Sequence, residues 1–233
     1  MGYYYMDWTY ILVIIAALIS MYASFRVKST FKKYSKMQSS AGVTGAEAAS
    51  RALRDNGLYD VRIQHVSGSL TDHYDPGSKT VNLSDTVYDS TSVAAIGVAV
   101  HECGHAIQHN EEYAPLAIRS AILPAANIGS KASMPIIIFG LFFSLKPLLF
   151  AGIILFAATV AFQVVTLPVE FNASKRALGY LEESRILDEN ELPYSRKVLR
   201  AAAMTYVAAT AAAVLQLLRL IILSRSRSGR RSD

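Results

Sequence analysis

Five residues, His101-Glu102-Cys103-Gly104-His105, form an H-E-x-x-H motif at the end of an apolar run that reads as a helix. Residues four apart on a helix lie about 40° from each other around the axis and one turn apart along it. His101 and His105 can therefore aim their imidazoles at one ion, while Glu102, one step round, reaches a water beside it. Zinc-dependent hydrolysis needs this combination of two neutral nitrogen ligands, an open position and a carboxylate that takes a proton from water. A chance match at average composition would occur on the order of once in a hundred chains of this length. The flanking residues agree with the metal reading. Ser92 to Val100 is small and apolar, with Thr91 or Ser92 as N-cap, so the motif sits on a helix that is buried at its start. Gly104, between the two histidines, leaves room for another segment to approach closely. Cys103 lies about 200° round from His101 and reads as a packed core thiol; as the only cysteine it can form no internal disulfide.

A catalytic zinc needs a third protein ligand, and three residues are candidates. His109 continues the stripe, but a straight helix carries it a further turn away from the ion. His73, in Thr71-Asp72-His73-Tyr74-Asp75-Pro76, lies in a turn-like stretch upstream. Glu170 begins a polar segment just after a long apolar one, and with the two histidines it would complete a His2Glu set, an established catalytic arrangement. Glu170 is favoured.

The motif H-E-C-G-H-A, the preceding D-H-Y-D-P and the later P-V-E-F-N-A-S-x-R-A together resemble the YugP-type neutral zinc metallopeptidases of bacterial membranes, and the resemblance runs from the first hydrophobic segment to the last. That family is similar in turn to the membrane-embedded prenyl-protease and HtpX-type peptidases. Those carry a downstream E-x-x-x-D element whose Glu binds zinc and whose Asp supports a ligand histidine. The matching positions here are Glu170 and Ser174, so a hydroxyl stands where that wider group has a carboxylate. The C-terminal histidine of the wider group is also missing. His73, Tyr74, Arg176 and Tyr206 are the candidates for oxyanion stabilisation or substrate contact.

The elements that must position these residues include membrane helices. The chain is 52% hydrophobic and 18% charged with mean hydropathy +0.27, richer in apolar residues than an average soluble domain. Thr9 to Phe25 carries no charge and is flanked by Trp8, Tyr10 and Tyr22, as at a membrane interface. Asp7 precedes it and no basic residue does, which favours an uncleaved anchor over a signal peptide. Arg26, Lys28, Lys32, Lys33 and Lys36 follow it, so the positive-inside rule puts the next domain in the cytoplasm. A second apolar stretch runs from about Ile128 to Leu145 and a third from Leu148 to Val169, separated by Lys146-Pro147. A hairpin that goes out and returns brings Glu170 back to the side of the H-E-x-x-H helix. The stretch Ala201 to Leu223 holds Thr205, Thr210, Gln216 and Arg219 among its alanines and reads as membrane-embedded. Arg225, Arg227, Arg230 and Arg231 follow it and read as lipid-headgroup contacts. The net charge of +5 reflects these flanking clusters, and nothing points to a nucleic-acid partner.

The expected fold is mainly α with a small β-sheet: a membrane-embedded, zincin-like domain with about four hydrophobic helices. The expected segments are an anchor at 1–28, a cytoplasmic catalytic domain at 29–127, a transmembrane hairpin at 128–169, a helical segment with the third ligand at 170–200, and an embedded helix with a basic tail at 201–233. Within the catalytic domain Thr44-Gly45-Ala46-Glu47 reads as a capping box and Gly57 as a helix stop. Tyr59 to Val66 and Lys79 to Leu83 read as strands around a turn at Asp75-Pro76-Gly77, the second one alternating. Thr80 to Leu83 reads either as a free strand edge on which an extended peptide pairs or as one arm of a plain structural hairpin. The expected function is a multi-pass zinc metallopeptidase with one Zn2+ per chain, held by His101, His105 and Glu170, and with Glu102 as the catalytic carboxylate. Ser174, His73, Arg176 and Tyr206 are expected around that centre, the substrate is a polypeptide near the membrane, and lipids are the other partner. The alternative is an inactive zinc-binding scaffold.

Overall fold

The computed structural model describes residues 8–229; Asp7, Arg230, Arg231 and the side chains of Arg225 and Arg227 lie outside what it describes. The described residues form α1 (Tyr10–Tyr34), α2 (Gly45–Asp55), β1 (Arg62–Val66), β2 (His73–Asp75), β3 (Thr80–Ser84), α3 (Val93–Asn110), α4 (Ala114–Phe142), α5 (Lys146–Glu183) and α6 (Leu192–Gly229). The chain is thus mainly helical with one small sheet. Chain contacts divide it into two compact units.

The first unit comprises the residues up to Ala23, Ala117–Leu167 and those from Tyr206 on. Helices α1, α4, α5 and α6 each hold a stretch long and apolar enough to cross a membrane. Their outward residues support that role: Ile154 and Phe142 are 70% and 81% exposed, and Ile14, Leu18, Ile138 and Leu218 are also exposed. Water would not favour so much bare hydrocarbon. Within the unit α4 and α5 run antiparallel, since Gly140 meets Leu149, Ile137 meets Gly152, and Thr159 bonds to the Ala126 carbonyl. Small residues allow this contact between backbones, which is the usual way helices associate where no hydrophobic effect drives them. Arg219 lies 4.2 Å from the centre of the Tyr10 ring, so its charge is met by an aromatic face.

The second unit comprises Ser24–Leu116 and Pro168–Thr205. Residues 117–127, read from sequence with the polar domain, fall in the first unit, and the segment from 170 on shares the second unit with the H-E-x-x-H helix. Helix α2 starts with a complete capping box: the Thr44 side chain accepts from the Glu47 amide and the Glu47 carboxylate accepts from the Thr44 amide. It ends at Asp55 with Asn56 as its C-cap, and Gly57 follows at φ +74°, a conformation that costs glycine nothing. Helix α3 is capped by Ser92, whose side chain accepts from the Ala95 amide. The core is apolar and gathers Leu53, Val81, Leu83, Ile96, Val100 and Leu181 from α2, the sheet, α3 and α5.

The sheet departs from the sequence reading in two ways. A third strand, β2, is present, and the strand order is β1-β3-β2, with β1 parallel and β2 antiparallel to β3. Strand β3 is therefore central. Its residues 80–82 are paired on both sides, so they present no free edge to a peptide, and the edge reading of Thr80 to Leu83 is corrected. All five residues of β3 are buried, so the expected alternation is absent as well. Polar Thr80, Asn82 and Ser84 tolerate this because each finds a local partner: the Ser78 carbonyl, the Thr80 carbonyl and the Asp72 carboxylate, respectively.

Candidate metal centre

Helix α3 carries His101 and His105 on one face, and the second-unit part of α5 packs against it where the intervening residue is glycine. A Cβ on Gly104 would lie 2.8 Å from the Ala173 carbonyl oxygen and 3.2 Å from its Cα, so only glycine allows the two backbones so close. That contact brings Glu170, one turn before Ala173, to the imidazoles. Glu170 Oε2 lies 3.4 Å from His101 Nε2 and 3.7 Å from His105 Nε2. Each of the three residues offers a ligand atom within 4.8 Å of the others, and among the described residues they form the group able to hold a metal ion.

Both the spacing and the burial suit zinc. Donors about 2.0–2.1 Å from a tetrahedral ion stand about 3.3 Å apart, close to the two observed separations. Glu170 is 3% exposed and its Oε2 has no hydrogen-bond partner, a costly state for a buried carboxylate that a shared cation relieves. Burial disfavours the charged form of His105, but the Glu170 carboxylate, the Glu102 charge and the bond to Gln108 outweigh it and raise its basicity. Glu102, next to His101, is buried at 8% exposure. Cys103 faces the other way, fully buried, with its thiol directed to the Ala49 carbonyl; burial pushes its pKa up, so it stays a neutral core group.

The remaining candidates sort by contact. Ser174 Oγ is 3.2 Å from His101 Nδ1, the ring nitrogen turned away from Glu170. Arg176 makes two bonds to Glu111, at 2.9 and 2.6 Å, and donates to Asn172, so it is held by its neighbours. His73 is exposed on β2, with Nδ1 2.9 Å from the Thr71 carbonyl. His109 Nδ1 is 2.9 Å from the Tyr74 hydroxyl. Neither His73 nor His109 joins the metal-ligand group. Tyr206 belongs to the first unit and is not among the residues the second unit brings together. Two residues that sequence reasoning passed over do join the site. Gln108 Oε1 lies 3.0 Å from His105 Nδ1, and Gln108 Nε2 donates to Asn172 Oδ1 at 2.8 Å. The signal for Gln108 was its place three residues after His105, on the same helix face.

Comparison with known proteins agrees with this geometry. Residues 9–225 match the family described as "Putative neutral zinc metallopeptidase". A curated relative from Bacillus subtilis (strain 168), "Putative membrane protease YugP", is 48% identical over 215 residues, covering 92% of this chain and 96% of that protein. No solved structure matches.

Proposed function

The chain belongs to this zinc metallopeptidase family, and from that premise we propose that it is a membrane-bound endopeptidase whose ion is held by His101, His105 and Glu170, with Glu102 as its catalytic carboxylate. The observation that carries the reading is the buried Glu170 oxygen, unbonded, facing two imidazoles with Glu102 alongside. Bound zinc would supply Lewis acidity, lowering the pKa of a water molecule and polarising a carbonyl. The chain supplies the proton traffic. Glu102 accepts the proton of the attacking water and later passes it to the departing amine. The carboxylate of Glu170 balances part of the ion's charge, and burial of the group keeps bulk water from competing for it.

The substrate class follows from where the ligand sits in the chain. Glu170 comes directly after the apolar stretch ending at Val169, in the same helix, which supports a site at the membrane surface. The basic run from Arg26 to Lys36 supports a cytoplasmic site. The antiparallel α4 and α5 fit a hairpin that leaves and returns. Substrates are then membrane-proximal or hydrophobic polypeptides, and lipids surround the helices.

The experiment pairs zinc stoichiometry with peptide hydrolysis on detergent-purified protein. The native chain should hold about one zinc and cleave membrane-anchored reporter peptides. Glu102→Gln should keep the zinc and lose cleavage by a factor on the order of 100 or more, the scale of a lost general base. A Glu102→Gln chain that cleaves at the native rate would refute the assignment of Glu102. A native chain that holds zinc and cleaves nothing would favour the scaffold. Efficient cleavage of soluble folded proteins, with none of membrane reporters, would overturn the substrate class.

A further inference from the structure

The two candidate ligand histidines have unlike partners at their far nitrogens. His101 Nδ1 faces the Ser174 hydroxyl, which can donate or accept and so leaves the imidazole free to carry its proton on either nitrogen. His105 Nδ1 faces Gln108, a residue with no exposed surface, and the direction of every hydrogen bond behind Gln108 can be deduced.

The deduction starts at Arg176, which only donates. Its two terminal nitrogens bond the Glu111 carboxylate, which holds the guanidinium in place. Its Nε lies 2.7 Å from the Asn172 side chain, so that atom must be the Asn172 carbonyl oxygen. Gln108 puts one end of its amide against the same oxygen, at 2.8 Å, and against the Val169 carbonyl, at 2.9 Å. Two acceptors at that end require the NH2 group there. The other end of Gln108 is then an oxygen, which only accepts, and it stands 3.0 Å from His105 Nδ1. The proton on His105 must be at Nδ1. In the neutral ring that metal coordination requires, Nε2 then keeps its lone pair, and Nε2 is the atom that faces Glu170.

We infer that Gln108 is a positioning residue for the metal, set by the Glu111–Arg176–Asn172 chain, which holds His105 in the one tautomer that can coordinate through Nε2. It also ties the helix carrying both histidines to the helix carrying Glu170, since its amide bonds Val169 and Asn172 on either side of that carboxylate. Outer hydrogen bonds of this kind set the tautomer and ring orientation of metal-bound histidine. This inference rests on the reading of His101, His105 and Glu170 as ligands.

Two measurements on the full chain in detergent test it: zinc affinity by chelator competition, and nitrogen-15 NMR of zinc-loaded protein labelled at histidine. In the native chain His105 should coordinate through Nε2 and carry its proton at Nδ1. Gln108→Leu should weaken zinc about 10- to 100-fold, while melting in the presence of chelator separately reads the stability lost with its buried hydrogen bonds. Ser174→Ala should lose less than Gln108→Leu, because its hydroxyl dictates no tautomer. Coordination of His105 through Nδ1, or native zinc affinity in a folded Gln108→Leu chain, would overturn the role of Gln108 and leave the metal site standing. Absence of zinc from the native chain, or its retention after His105→Gln, would overturn both. If Gln108→Leu does not fold, the spectrum of the native chain decides alone.

Discussion

Replacing Gly104 with alanine tests the close contact on which the metal group depends. The new methyl would stand 2.8 Å from the Ala173 carbonyl oxygen and 3.2 to 3.3 Å from two more backbone atoms. No side-chain rotation relieves a backbone clash, so α5 must recede by about 0.6 Å to reach ordinary contact. Glu170 lies one turn earlier on that helix and Ser174 one residue later, and both move with it. A zinc site tolerates about 0.2 Å in each ligand distance, so the ion must pull α5 back against the methyl. Overpacking of this kind costs about 1–3 kcal/mol. If the free chain relaxes, that cost appears on zinc binding as an affinity loss of about 5- to 150-fold. Gly179→Ala is the internal control, for it is the same substitution on the same helix with nothing within 4 Å of the added carbon. It should leave zinc binding unchanged and raise stability by up to about 1 kcal/mol through helix propensity. Chelator competition and thermal melts on the three proteins give both quantities. Native zinc affinity in Gly104→Ala would refute the argument that this glycine sets the spacing of the ligands.

Other perturbations probe the second unit away from the ion. Thr44→Ala removes the capping box of α2 and should cost about 1 kcal/mol in a thermal or denaturant melt, with no change in zinc content. Ser195 carries a buried hydroxyl without a hydrogen-bond partner. Ser195→Ala should therefore be neutral or stabilising by up to about 1 kcal/mol, and a loss larger than that would mean the hydroxyl is bonded. Cys103, fully buried and with its thiol pKa pushed up by burial, should resist alkylation in the native protein between pH 7 and 9 and react once the chain is unfolded. Rapid alkylation of the folded chain, followed by mass spectrometry, would show that the back of α3 is not packed.

What the sequence alone determined is local. A helix puts residues four apart on one face whatever surrounds it, so His101 and His105 could be paired, and Cys103 turned away, from spacing alone. Thr44 and Glu47 meet within a single turn, and the apolar stretches announce four long helices by composition and length. The tertiary structure decided what depends on distant segments. Glu170, 65 positions beyond His105, stands at the imidazoles while His73 and His109 are engaged elsewhere, because α5 can lie against Gly104. Strand β3 is central rather than an edge because β2, only three residues long, pairs along its other side, and so short a segment carries little periodic signal. Gln108 bonds Asn172 and Val169 across more than sixty residues of sequence. Hydrogen-bonded helical turns are written into neighbouring residues, whereas side-chain networks between helices exist only once packing has brought their backbones together.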